Sequence, residues 1–465
     1  MARGKRRAGH VGGVSAMMAV KEISENYLSH FARREKAHAQ NEQHWLHELR
    51  KEAISRFATL GFPTPKLEEW KFTNVGPLAR TSFHSAEFRA DGMSAERLAD
   101  LPLAQAAFSE CCSRIVFVNG HYNPQLSSAD LPEGVIAGSL AAAIKRNSPH
   151  VQEHLARHAD FQNQAFVALN TAFLEDGACI EIPRGVILET PIHLLFVSTA
   201  DEPIASHPRS LIIAGARSQA SVIEDYVTLG DGIYFNNAVT EIVIGANAVV
   251  DHYKLQAESN NAFHIATIQV RQQQSSSFNS HSVSLGGGLV RNDVNVVLDG
   301  EGAECSLNGL YVTSKNQHVD NHTVIDHAKP HCTSRELYKG ILDDTSSAVF
   351  NGSIVVRKDA QKTDARQSNK NLVLSEEATI NSKPQLEINA DDVKCAHGTT
   401  IGHLDEDAVY YLRSRGIGVE EARSVLTYGF ANDVLKRMKI DAVRVRLECA
   451  LLAQMPGRHA HTEET

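Results

Sequence analysis

From about Gly177 to Asn389 apolar and polar residues alternate in short runs, among them ACIEIPRGVILETPIHLLFVS, NAVTEIVIGANAVVDHYKLQ and VRNDVNVVLDGEGAECSLNGLYV. The runs are rich in Val, Ile and Thr and are separated by Gly, Asn, Asp and Ser, which predicts strands joined by turns. Helical periodicity is absent throughout this stretch. The runs also repeat: Gly215-Ala216 and Gly245-Ala246 open the similar segments ASVIEDY and AVVDHYKL, and another run begins around Ser275. That period of roughly thirty residues lies in the range of a solenoid. Asn308-Gly309 and Asn351-Gly352 fall at like points of LNGLYV and FNGSIVV. An immunoglobulin-type sandwich has turn signals every 8–12 residues or so and no long-range self-similarity. Stacked coils that bury one another's apolar faces account for both features. Strict hexapeptide periodicity is missing, which argues against the left-handed acyltransferase helix.

Helical patterns flank this body. Between Ala19 and Leu60, Ile23, Tyr27, Phe31, Trp45, Leu46, Leu49, Ile54 and Phe57 recur at three- and four-residue steps. Gly61, Pro63 and Pro65 stop the pattern. In KLEEWKFTN (residues 66–74), Trp70 and Phe72 are expected to anchor a loop onto the body. Residues 84–160 read as a small mixed region with a strand at Arg114–Val118 and a turn at Asn119-Gly120. Helices are expected around 138–145 and 161–174. Helix returns at Asp405, where Asp405, Glu406 and Asp407 suit an N-terminus. AVYYLRSR runs to a stop at Gly416; VEEARSVLTYGF and NDVLKRMKIDAVRVRLECALLAQM form two further helices, and PGRHAHTEET frays. The expected organisation is a disordered basic tail over 1–18, a helical and mixed region over 19–160, a parallel β-helix over 161–400 and a helical region over 401–465. The start of the tail is an upstream extension if translation begins at Met17 or Met18.

The chain has 465 residues, a net charge of −9 and 42% hydrophobic residues, the balance of a soluble globular protein. Its acidity argues against nucleic acid, which calls for a basic stripe. No apolar run approaches the ~20 residues that span a bilayer, and the basic N-terminus lacks the apolar core of a secretory signal. Seven cysteines (Cys111, Cys112, Cys179, Cys305, Cys332, Cys395 and Cys449) are irregularly spaced and form no CxxC pair. They make neither a disulfide framework nor a self-contained zinc or iron–sulfur ligand set. The expected compartment is the reducing cytoplasm.

Candidate chemistry centres on Cys395 and His397 in CAHGTTIGHLDEDAVYYLRSRG. Two residues apart on an extended strand, a thiol and an imidazole point the same way and could act together on a soft metal or a sulfur species. Packing is the plainer role for Cys395. His322, His327, His331 and Cys332 are dense enough to suggest a metal site, but alternate residues of a strand face opposite ways, so coil corners fit them better. Arg335 and Lys339 are expected on the surface of the β-helix. Gly286-Gly287-Gly288 precedes no helix and reads as a flexible turn. The remaining cysteines read as core or surface thiols.

CAHGTTIGHLDEDAVYYLRSRGI, TVIDHAKPHCTSRELYKGI (residues 323–341) and KLEEWKFTN together resemble the SufB/SufD family of iron–sulfur cluster scaffolds. The E-x-W-K-F-T segment is a shared mark. Gly398 follows His397 where SufB-like chains carry an acidic residue, so the resemblance is closest to the SufD branch. It implies a right-handed parallel β-helix flanked by helical regions. It also implies pairing with a SufB-like subunit through the β-helix, and docking of a SufC-like ATPase on the C-terminal helical region. Such a complex assembles nascent clusters from sulfur delivered by a desulfurase system and passes them on. The ATPase is a partner, in keeping with the lack of a G-x-x-x-x-G-K-[ST] motif here, and the chain itself is expected to be no enzyme. The resemblance places His397 and Cys395 near the subunit interface as candidate metal ligands, His397 the stronger, with the main sulfur-handling cysteine on the SufB-like partner. The iron–sulfur cluster is then transient and shared, and none is expected on the isolated chain. Homodimer formation by the isolated chain stays open. Tyr410, Tyr411, Leu412 and the face of 419–428 divide between internal packing and ATPase docking. Two rival readings remain: a purely structural subunit that docks and activates the ATPase, and a carbohydrate-active β-helix enzyme, which would need a secretory signal.

Overall fold

In the computed structural model, residues 26–36, 43–86, 94–99, 101, 112–199 and 202–455 are described. The expected basic tail, Ile23, Cys111 and PGRHAHTEET lie outside the described residues. The alternating runs form a parallel β-solenoid of about eight turns, with helices before and after it. Each coil gives one strand to each of two sheets. The first sheet steps from Ala178–Ile182 through Arg209–Ala214, Tyr234–Ile244 and Ala262–Gln272 to Ser347–Val356 and Thr379–Ile388. The second steps from Ser113–Val118 through Ile192–Thr199, Gln219–Leu229 and Val249–Ala257 to Thr333–Leu342, Asp364–Val373 and Lys394–Gly402. Val249 lies beside Gln219 and Lys394 beside Asp364, each 30 residues further on, as the sequence period predicts.

Alternation sends one row of each strand inward. Ile212, Val222, Ile242, Val250, Ile268, Phe278, Val294 and Phe350 fill the lumen as one continuous core. Asn308-Gly309 and Asn351-Gly352 belong to different sheets, so their likeness is not a stacking repeat: Asn308 lies beside Leu337 and Asn351 beside His322. What Gly309 and Gly352 share is space. A Cβ at Gly309 would lie 2.2 Å from the Tyr338 ring, and one at Gly352 would lie 2.3 Å from Gln367. The glycine run at 286–288 also departs from its expected flexibility. Gly286 and Gly287 are buried, and a Cβ at Gly286 would lie 2.2 Å from the Glu258 carbonyl, so the turn is tight because neighbouring backbones touch.

Each flanking region lays most of its apolar residues on the outer face of one sheet, while Leu98 and Leu101 of the N-terminal region pack on Val116, Leu195 and Val197 of the second. On the first, the helix at 26–36, the helix His44–Leu60 and the helix Ala165–Ala172 bring Tyr27, Phe31, Phe57, Phe62, Phe166 and Phe173 onto Phe235, Ile265 and Leu289. Gly61 ends His44–Leu60 at φ +63, its N–H bonded to the Phe57 carbonyl, as the sequence predicts. Trp70 anchors its loop as expected, against Phe166 and with the Arg291 guanidinium 3.8 Å from its ring centre. Phe72 does not: it stays exposed. Arg291 also pairs with Asp293 and Asp320, and the Thr73 hydroxyl donates to Asp320, so the E-x-W-K-F-T loop is fixed by charge as well as by area.

On the second sheet, helices Val419–Leu435 and Asp441–Gln454 lay Ala431, Val434, Leu435, Val443, Leu447 and Leu451 over Ile223, Tyr253, Leu310 and Ile341. The break between them falls after Leu435 rather than near Ala431, because Ala431, Val434 and Leu435 continue one buried stripe. Arg446 clasps the buried Asp225, and Lys339 reaches Asp433 at 2.6 Å. The preceding helix, Glu406–Ser414, is capped by the Asp405 carboxylate as predicted, and Gly416 follows at φ +89. No helix among the described residues is long and apolar enough to cross a membrane.

Candidate functional site

The strand Lys394–Gly402 is the last of its sheet and pairs on one side only, with Asp364–Val373. Cys395 lies beside Ala365, His397 beside Gln367 and Thr399 beside Asn369. Ala365, Gln367 and Asn369 are buried while Arg366 and Lys370 are exposed, so the odd-numbered row faces the lumen. Cys395, His397, Thr399 and Ile401 extend that row at the mouth of the solenoid, where no further coil covers them. Across the mouth lies Thr379–Ile388, the last strand of the other sheet. Thr399 Oγ1 donates to Ser382 Oγ at 2.8 Å, and Ser382 Oγ donates to the buried Asn369 at 2.8 Å, tying the two end strands together.

The two expected site residues are on one strand face, as predicted, but in different surroundings. Cys395 is half-buried against Ile354, Val356, Ala365 and Leu386. Burial first, and then the Asp364 carboxylate, push its thiol up, against a hydrogen bond from the Ala365 N–H. A thiol held in its neutral form is a poor ligand and nucleophile. His397 is exposed at the mouth, and no hydrogen bond engages its ring among the described residues.

Beneath His397 runs a column that the sequence reading did not single out. His397 stacks on Gln367, and Gln367 on Glu336, at successive coils. Gln367 Nε2 donates to Glu336 Oε2 at 2.7 Å. Burial pushes the Glu336 carboxyl up to about 7, against the hydrogen bond from Gln367. The thirty-residue period carried the signal, since stepping back one coil from His397 arrives at Gln367 and a second step arrives at Glu336.

The other dense segment does not form a site. His322 Nε2 pairs with Asp320 Oδ1 at 3.0 Å on the outer face, while His327 turns inward to Ser334 at 2.9 Å. His331 occupies a left-handed turn at φ +60, and Cys332 is buried with its thiol on the Gly300 carbonyl. Arg335 pairs with Asp364 on the solenoid surface, whereas Lys339 is buried under Phe430. Cys179 and Cys305 are core thiols and Cys449 is exposed. On the C-terminal helices Tyr410 and Tyr411 are 72% and 54% exposed, with Val419 and Val425 also open to solvent.

Residues 21–194 match the model of the SufBD protein N-terminal region, and residues 196–430 match the SufBD core domain of the SUF system for FeS cluster assembly. The chain belongs to the SufBD family of iron–sulfur cluster assembly proteins. It is 35% identical over 408 residues to a SufBD family protein of Synechocystis, covering 86% of this chain and 88% of that one. It is 31% identical over 407 residues to the iron–sulfur cluster assembly protein SufD of Escherichia coli, covering 87% and 92%. The SufD of Bacillus subtilis is 26% identical over 445 residues, 91% of this chain and 96% of that one. The resemblance read from the motifs is therefore borne out, and so are the parallel β-solenoid and its flanking helices. A SufBD chain acts in iron–sulfur assembly as a scaffold-type subunit, which leaves the carbohydrate-active reading without support.

Proposed function

We propose that this chain is a SufD-like scaffold subunit that pairs with a SufB-like subunit through the open end of its solenoid and carries SufC-like ATPase on its C-terminal helices. The observation that carries the reading is the pair of one-sided end strands, Thr379–Ile388 and Lys394–Gly402. Each presents an unpaired row of backbone donors and acceptors, which strand addition satisfies. A partner solenoid docked there would cover the mouth and bring its own groups onto His397. A neutral imidazole suits iron, and thiolates from the partner would complete a mixed ligand set for the nascent cluster, which is cargo rather than a resident group. The raised thiol supports a packing role for Cys395 in the resting chain. A cytoplasmic location fits Cys179, Cys305, Cys332, Cys395 and Cys449, which form no disulfide among the described residues.

Coupling to ATP follows from the same sheet. The C-terminal helices are clamped to the second sheet by Arg446–Asp225 and Lys339–Asp433, and that sheet ends in the strand bearing His397. Tyr410, Tyr411, Val419 and Val425 supply exposed apolar area for a docked ATPase. Movement of two ATPase subunits toward one another would then load the junction of the end strands and open the site.

The test is co-expression with SufB-like and SufC-like partners and analysis of iron and sulfide per complex. His397→Ala should keep the complex and lower both contents several-fold. Wild-type contents in that variant would remove His397 from the mechanism and leave the purely structural subunit as the reading.

A further inference from the structure

A second group of possible ligands lies at the opposite end of the solenoid, in PHVQEHLARH (residues 149–158). The short helix Pro149–His154 is pinned by the buried Val151 among Leu140, Leu155, Leu174, Cys179 and Leu211, residues of the first coils and their cap. His150 and His154 are four residues apart and His150 and Glu153 three apart, so all three project from one side of the helix. One ligand atom from each lies within 4.8 Å of the others, and no other such group of three occurs among the described residues. His154 Nδ1 is engaged with His158 Nε2 at 3.2 Å, the two rings stacked at 5.4 Å. That leaves Nε2 of His154 as its outward atom, 3.9 Å from Glu153 Oε1.

We propose that His150, Glu153 and His154 bind one divalent first-row transition-metal ion, with His158 as the positioning residue behind His154. Two imidazoles and a carboxylate are donors for Zn²⁺ and Fe²⁺ alike, and three ligands leave positions open to water. A tetrahedral ion with bonds of about 2.1 Å holds its ligand atoms about 3.4 Å apart. His150 and Glu153 are exposed, so no packing holds their side chains at the present, wider spacing. His158 plays the part that a metal-bound histidine requires of its neighbour, fixing the tautomer and the ring plane through the second nitrogen. His158 is itself held: its backbone N–H donates to Glu241 Oε1 at 2.8 Å. The site is roughly 30 Å from His397 at about 4.8 Å per strand, so it is separate from the mouth and does not depend on the scaffold reading.

The experiment titrates Co²⁺ into the purified, chelator-treated full chain and follows its visible d–d bands, with Zn²⁺ and anaerobic Fe²⁺ as competitors. The wild type should bind one more equivalent than His150→Ala and His154→Ala, with bands of nitrogen and oxygen ligation and without thiolate charge transfer. Zn²⁺ should displace Co²⁺ more readily than Fe²⁺ does. His158→Gln should keep the stoichiometry and weaken binding by about tenfold. His150 and Glu153 are exposed, so His150→Ala and Glu153→Gln report on binding with the fold intact. Equal stoichiometry and affinity in wild type and His150→Ala would overturn the site. Unchanged affinity in His158→Gln would remove its positioning role.

Discussion

The solenoid's two ends are made of the same alternating strands and finish in opposite ways. At the first end, Ser113–Val118 is paired on its outer side by the antiparallel His121–Ser128, and Ala178–Ile182 by the antiparallel Ile136–Ser139. Nearby, Glu241 accepts the N–H groups of Ala156, His158 and Ala159 while Arg209 pairs with it at 2.7 Å, every charge buried and answered. At the last end, Thr379–Ile388 and Lys394–Gly402 carry mostly exposed or half-buried residues and have no outer neighbour among the described residues. An isolated protein protects such edges, because they invite pairing. Sealing one end and leaving the other open is, on the function proposed above, a division between a part that folds the chain and a part available to another chain.

Three changes probe that division. The largest effect belongs to the sealed end. Arg209→Ala strands the buried Glu241 carboxylate and should cost about 3–5 kcal/mol in urea unfolding; a loss under about 1 kcal/mol would mean that the cap is not what holds the first coils. Next comes Glu336, just below the open mouth. Its carboxyl is raised from 4.5 to about 7 in the fold. Below pH 4.5 both folded and unfolded chains hold this proton, and the wild type keeps its full stability. Between there and about pH 7 the unfolded chain gives the proton up first, so stability falls as pH rises, by at most about 3 kcal/mol. Glu336→Gln should flatten that slope in thermal melts across pH 4–8, and an unchanged slope would place the titrating group elsewhere. The smallest stability effect belongs to the mouth itself. Ile401→Lys, at a residue 55% exposed, should leave the isolated chain within about 0.5 kcal/mol of the wild type. The same change should abolish capture of the SufB-like partner. Intact capture would move the interface away from these strands.

The fold was legible where the residues repeat a period. Alternation and the thirty-residue step led to stacked parallel coils, because coil-on-coil burial is a near-neighbour interaction that local sequence records. Helix ends at Gly61, Asp405 and Gly416 were legible for the same reason, since capping is local chemistry. Phe72 was misjudged because an aromatic beside Trp70 has no local mark for which of the two meets Phe166 and Arg291. The break between the last helices was misplaced because their buried stripe is set by Ile223, Tyr253 and Leu310 of distant strands.

For the candidate site the same boundary applies. The sequence by itself determined that Cys395 and His397 share a strand face, and it carried the motifs that place the chain among SufBD proteins. Only the tertiary structure decided that this face is the last uncovered rung of the lumen. It also decided that Cys395 is packed, with burial pushing its thiol up, and that His397 stands above Gln367 and a Glu336 whose carboxyl burial pushes up to about 7. Those properties are solvation and register, and both depend on which residues thirty and sixty positions away arrive as neighbours.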